Sequence, residues 1–211
     1  MEKRTVFAKL AAALMVVAVA LTSVFYVPAQ AAESKVYTVT GQYHQTEARS
    51  MLKKVNKFRT GKNAWYYAED GSKYKCKGLK KYTYDYTLEQ IAMERAMEVS
   101  VLFDHTRPNG ESCFTAYPDN TYYMCGENIA MGYKLSAGDA FKLWQEKNYG
   151  YSGQGHRRSM LSEGFSCIGI ACFEVDGYTY WVQEFAYPNS GAKKTKANNK
   201  TKTKKIECIT Q

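Results

Sequence analysis

Residues 165–185 read FSCIGIACFEVDGYTYWVQEF. Two runs rich in β-branched and aromatic residues flank Asp176-Gly177, a strong signal for a two-residue hairpin turn. This predicts antiparallel strands over 165–175 and 178–185. Upstream, the apolar period is helical. Ala48, Met51, Leu52, Val55 and Phe58 form one stripe, opened by Thr46 as N-cap and closed by Gly61. Thr87-Leu88-Glu89-Gln90 has the form of a capping box. Leu88, Ile91, Ala92, Ala96, Val99, Leu102 and Phe103 follow as a buried face, stopped by Pro108-Asn109-Gly110. A third helix is expected from Ser136 to Glu146 with Ala140, Leu143 and Trp144 inward, and a short one from His156 through Met160 and Leu161. Residues 64–86, rich in tyrosine and lysine around Gly71, predict an irregular or hairpin-forming excursion. Helices followed by a hairpin predict an α+β fold, with helices covering an antiparallel sheet.

The two ends read differently. Lys3, Arg4 and Lys9 precede an apolar run over residues 10–27, and Ala29-Gln30-Ala31 supplies the small residues of a cleavage site. This predicts a signal peptide over 1–31, cut after Ala31, and a secreted chain. Residues 32–45 are a short lead-in with some strand character, and 46–187 form the domain. Residues 188–211 hold seven lysines and one acid with few apolar residues, and are expected to be a disordered tail. The formal charge of +9 is concentrated there, leaving residues 32–187 near +1. The basicity therefore gives no ground for specific nucleic-acid binding. The tail's expected partner is an anionic cell-wall polymer or membrane surface.

All six cysteines follow residue 31, which suggests disulfides in an exported chain. Cys167 and Cys172 are five apart in a strand, on opposite faces and too far apart to bond. Cys113 and Cys125 flank one loop and are the preferred pair.

Polar chemistry concentrates in DHTRPNG (104–110), CGENIA (125–130) and GQGHRRSML (153–161). His105, Glu127 and His156 stand there, with Glu146 as a fourth candidate behind Trp144. Two imidazoles with one or two carboxylates suit an open divalent-metal site, most naturally zinc. His105, His156 and Glu127 are its expected ligands. The glycines before His156 are expected to let the backbone turn so that the ring enters a cleft. Arg157 and Arg158 read as surface or helix residues.

HTRPNG, CGENIAMGY, a tryptophan-bearing helix, GHRRSML and YWVQEF occur in this order over residues 46–187. In that order and spacing the chain resembles the CAP superfamily (cysteine-rich secretory proteins, antigen 5 and pathogenesis-related 1 proteins), especially its bacterial SCP-like branch. The resemblance implies an α–β–α sandwich with a central cleft lined by two histidines and two acids. His105, Glu127 and His156 match three of these residue by residue. The fourth acid of the family often lies three residues after the tryptophan, where this chain has Lys147. Glu146, one residue earlier, takes the role only if the helix end shifts.

The resemblance favours a secreted, non-catalytic domain whose cleft binds zinc or another divalent cation. It also implies a small apolar, lipid or sterol-like ligand, or a protein partner. The alternative is a metal-dependent hydrolase, a peptidase or a cell-wall enzyme, with Glu127 as ligand or base. A glycan-cleaving acid pair of Glu127 and Glu146, and a cysteine peptidase built on Cys125, stand behind it.

Overall fold

The structure, a computed structural model, describes residues 33–210. The leader expected over 1–31 and its cleavage point lie outside these residues. In chain order the elements are β1 (Glu33–Tyr43), α1 (Gln45–Arg59), β2 (Trp65–Tyr67), β3 (Lys73–Lys75), β4 (Thr83–Tyr84), α2 (Tyr86–Val99), β5 (Met124–Tyr133), α3 (Ala137–Trp144), α4 (Gly155–Leu161), β6 (Cys167–Val175), β7 (Tyr178–Tyr187) and β8 (Thr201–Thr210). No helix among the described residues is long and apolar enough to cross a membrane.

The Asp176-Gly177 hairpin is the centre of the fold. Asp176 (φ 51°) and Gly177 (φ 80°) occupy the two left-handed turn positions, and Val175 faces Tyr178. Around it the sheet runs β5–β7–β6–β1–β8, with β4 parallel to the start of β6. Strand parity divides the core in two. Ile168, Ile170 and Cys172 pack with Met51, Phe58, Trp144 and Met160 of α1, α3 and α4. Ala171, Phe173 and Val182 pack with Ala92, Met93 and Ala96 of α2 on the other face. The result is an α+β fold with helices on both faces of an antiparallel sheet. Cys167 and Cys172 belong to different clusters, as parity required. Gly169 lets the first turn of α2 lie directly on β6, because a Cβ there would stand 2.2 Å from the carbonyl carbon of Leu88.

Several expectations are corrected. The tail is not disordered throughout. Residues 201–210 form β8, in ten-residue antiparallel register with β1, itself a full strand where a lead-in was expected. Ile206 and Cys208 are buried beneath it, and the Lys204 ammonium reaches Glu94 of α2 at 2.9 Å. Lysine and threonine suffice for this strand because β1 satisfies its backbone and half its side chains stay in water. The N-cap of α2 is Asp85, whose carboxylate accepts from the amides of Thr87 and Leu88. That helix ends at Val99, so Leu102 and Phe103 leave its buried face and Phe103 is exposed. Leu143 points outward from α3. All six cysteines are free thiols, and the expected Cys113–Cys125 bond is not formed. The Cys113 thiol turns toward Glu127, whereas Cys125 packs with the Leu88 and Tyr117 cluster.

Candidate metal cleft at the free edge of β5

Among the described residues, strand β5 is the outer strand at one end of the sheet and pairs only with β7. Glu127 and Ile129 face α2, while Asn128 and Ala130 face the other layer. Groups from both layers therefore meet around one backbone edge. Register places Glu127 directly opposite Glu184 on β7, and both are buried. Two adjacent carboxylates in the interior are unfavourable unless compensated.

Arg95 supplies the compensation. It lies on the buried stripe of α2 beside Ala92, Ala96 and Val99 and is itself buried. Its Nε donates to Glu127 at 2.7 Å, its Nη1 to Glu98 at 2.8 Å and its Nη2 to the Asp104 carbonyl at 2.8 Å. Burial pushes the Glu127 carboxyl upward, but hydrogen bonds from His105 and Arg95 outweigh it and hold it at about 2. Burial, reinforced by the charge of Glu127, keeps Glu184 protonated well above the usual carboxylate range. Tyr117 donates to Glu184 Oε2 at 2.6 Å, and no described donor reaches Oε1.

This gives a pH test with a definite sign. Glu184 is protonated when folded and ionises near pH 4.3 when unfolded, so its effect on stability worsens as pH rises above about 4. Glu184→Gln keeps the shape and the donor. It is expected to match the parent near pH 4 and to exceed it by about 1 kcal/mol or more at pH 7. Urea unfolding at both values checks this, and equal stability at pH 7 would show Glu184 ionised.

The two histidines are each braced by a carboxylate. His105, in the loop after α2, donates from Nδ1 to Glu127 at 2.7 Å, a bond that raises its pKa. His156, in the first turn of α4, bonds Glu146 through Nδ1 at 2.5 Å. Glu146 reaches it because α3 stops at Trp144 and Glu146 itself adopts a left-handed conformation, φ 43°. That residue provides the helix-end shift the sequence required. Gly153 and Gly155, expected to make the turn, have no left-handed backbone.

Arg157 is not a surface residue. It is buried, stacks on Trp65 and Phe58, and donates to the carbonyls of Trp65, Asn63 and Gln145. Its amide also donates to Glu146 at 3.2 Å, fixing α4 against the turn that carries that acid. Asn128, next to Glu127, donates to the His156 carbonyl at 3.1 Å and ties the two histidine pairs to one strand. A groove of about 500 Å³ at this edge is lined by His105, Cys113, Cys125, Glu127, Phe165 and Ser159, the last one turn beyond His156.

Among the described residues, the donor cluster shares His105 and Glu127 with the expected set and has Cys113 in place of His156. One atom each of His105, Cys113 and Glu127 lie within 4.8 Å of one another, and His156 is outside that group. Both Glu127 oxygens are already engaged by Arg95 and His105. Glu127 therefore orients Arg95 and His105 while remaining one of the three clustered donors, as the sequence suggested. Sequence reasoning missed Arg95, Cys113 as a cleft residue, and Glu184. A signal existed for Arg95, a charge on an otherwise apolar helical stripe.

Residues 52–185 match the cysteine-rich secretory protein family, CAP. The chain belongs to this family. No curated protein shows significant sequence similarity to it. Among solved structures, Na-ASP-1 is 21% identical with a TM-score of 0.50, over 68% of this chain and 39% of its own length. An outer surface protein of Borrelia burgdorferi is 17% identical with a TM-score of 0.49, over 69% of this chain and 97% of its own. NaASP2, in a structure with Zn2+, is 19% identical with a TM-score of 0.48, over 72% of this chain and 84% of its own. In this CAP chain the donors suit zinc: two imidazoles, each bonded through Nδ1, leave Nε2 for an ion. His105 is half exposed and His156 about one third, so solvent reaches both rings.

Proposed function

We propose that this CAP chain is an exported, non-catalytic binding module whose β5-edge groove holds a divalent cation, zinc by preference, on His105 and His156. The observation that carries this reading is the pair of carboxylate-braced histidines, His105 on Glu127 and His156 on Glu146, both with Nε2 unused by those contacts. Bound there, zinc would present an open position to a ligand atom. The non-catalytic reading is favoured because Glu127 and Glu146, the acids that would serve as base, are committed to orienting the rings and, for Glu127, to Arg95. Export rests on the leader-like residues 1–31 and on the secretory character in the family's name.

A second groove of about 500 Å³ between α1 and α3 supports an apolar ligand. Phe58 and Phe141 floor it, and Lys54, Lys57, Lys62 and Lys142 rim it, which suits a small amphiphile with an anionic end. The exposed lysines of residues 193–205, Lys204 apart, support contact with an anionic surface, presented partly on β8.

Zinc calorimetry tests the cation. The folded parent is expected to bind near one equivalent, and the folded His105→Ala/His156→Ala double variant none. Equal binding by both, or none by the parent, would overturn the reading.

A further inference from the structure

The sequence assigned Cys113 to a disulfide, yet the fold sets its thiol beside His105. The backbone fixes this placement. The Cys113 amide donates to the His105 carbonyl at 2.8 Å, and Thr106 and Ser112 form an antiparallel bridge between them. The Arg107 amide donates to the Glu111 carbonyl at 2.7 Å, and Gly110 (φ 83°) turns the chain. Residues 106–112 are thus a closed loop whose two flanks carry an imidazole and a thiol. Arg107 anchors the loop to Glu98 at 2.6 Å, the same acid that Arg95 bonds.

A ring nitrogen of His105 and the Cys113 sulfur lie within 4.8 Å. A tetrahedral ion with bonds of about 2.3 Å to sulfur and about 2.0–2.1 Å to nitrogen sets such donors about 3.6 Å apart, so an approach of about 1 Å closes them on one ion. Glu127 is the poorer donor of the three, since withdrawing it would leave Arg95 buried without its main partner. Cys113 has no comparable structural duty.

We propose that Cys113 is a metal ligand, its sulfur joining His105 on one borderline-soft cation and making the cleft prefer zinc or cobalt over magnesium or calcium. The sulfur–metal bond forms as the thiol proton leaves to water, and the ion's charge stabilises the thiolate. The inference rests on the reading that a cation occupies this groove.

Cobalt(II) titration of the full chain, kept reduced with a phosphine, tests it. The expected result is a near-ultraviolet sulfur-to-cobalt charge-transfer band that saturates near one equivalent. The band should vanish in Cys113→Ser and persist in Cys125→Ser, with circular dichroism reporting the fold of each. Cobalt bound without such a band, or a band that survives Cys113→Ser or is lost only in Cys125→Ser, would overturn Cys113 as ligand while leaving the cation reading intact. No cobalt or zinc binding at all would overturn both. If Cys113→Ser does not fold, the parent spectrum together with Cys125→Ser still decides, because Cys76 lines a different pocket, Cys167 and Cys172 are buried in the sheet core, and Cys208 lies on β8 against β1.

Discussion

Replacing Arg95 by Met is expected to destabilise the protein by about 3–5 kcal/mol, the usual consequence of removing one partner from a buried ion pair. For a domain of this size that lowers Tm by roughly 10 °C. Methionine fills much of the volume, so the loss is electrostatic: Glu127 keeps its position between β7 and α2 without the guanidinium that holds its charge. Glu98 retains Arg107 and suffers less. Adding Glu127→Gln to Arg95→Met removes the stranded charge and should recover part of the loss. Urea denaturation of the single and double variants measures both steps. A cost below about 1 kcal/mol would show that Arg95 is dispensable, and no recovery would show that the loss does not come from the stranded Glu127 charge. The pH dependence has the opposite sign to that of Glu184. A carboxyl held at about 2 contributes stability that is present above its ordinary value near 4.3 and is lost as pH falls toward 2. Arg95→Met should flatten that acid limb.

Truncation before Thr201 is expected to cost about 4 kcal/mol or more, with a fall in Tm of roughly 10 °C. It removes the ladder along all of β1 from Glu33 to Gln42, the apolar cover of Ile206 and Cys208, and the Lys204–Glu94 contact. Beyond residues 42–43, β1 has no other strand partner among the described residues, so most of its backbone would pass to water. Thermal unfolding of the truncated and full chains checks this. Unchanged stability would return residues 201–211 to the status of a loose tail.

That strand marks where the sequence stopped being legible. Period and turn chemistry identify β6, β7 and the helices because each carries its own apolar face and stop signal. β8 carries only Ile206 and Cys208 as buried apolar residues, and its order comes from pairing with β1 at the far end of the described chain. No local composition encodes that. The site divides in the same way. His105, Glu127 and His156 stand in motifs, Glu146 lies one residue short of the motif position, and the structure joins the four as two pairs. Their division of labour was hidden. That Glu127 is tied up by Arg95 depends on α2 lying over β5, and the nearness of Cys113 to His105 depends on the closed loop over 106–112. Glu184 has no sequence signal of its own, since only strand register sets it opposite Glu127. The left-handed turn at Glu146 likewise has no glycine or asparagine to announce it.

The central claim is that two histidines, each held through Nδ1 by a carboxylate, offer Nε2 to one ion. The chain has only three histidines, and the third is a built-in control: His44 uses its Nε2 to contact Glu174 at 2.8 Å. Long-range proton–nitrogen correlation of the imidazoles during zinc addition therefore tests the claim most directly. The account predicts that the Nε2 signals of His105 and His156 shift together and saturate at one equivalent, while His44 does not move. Zinc that shifts neither ring, or only one of the two, would contradict it.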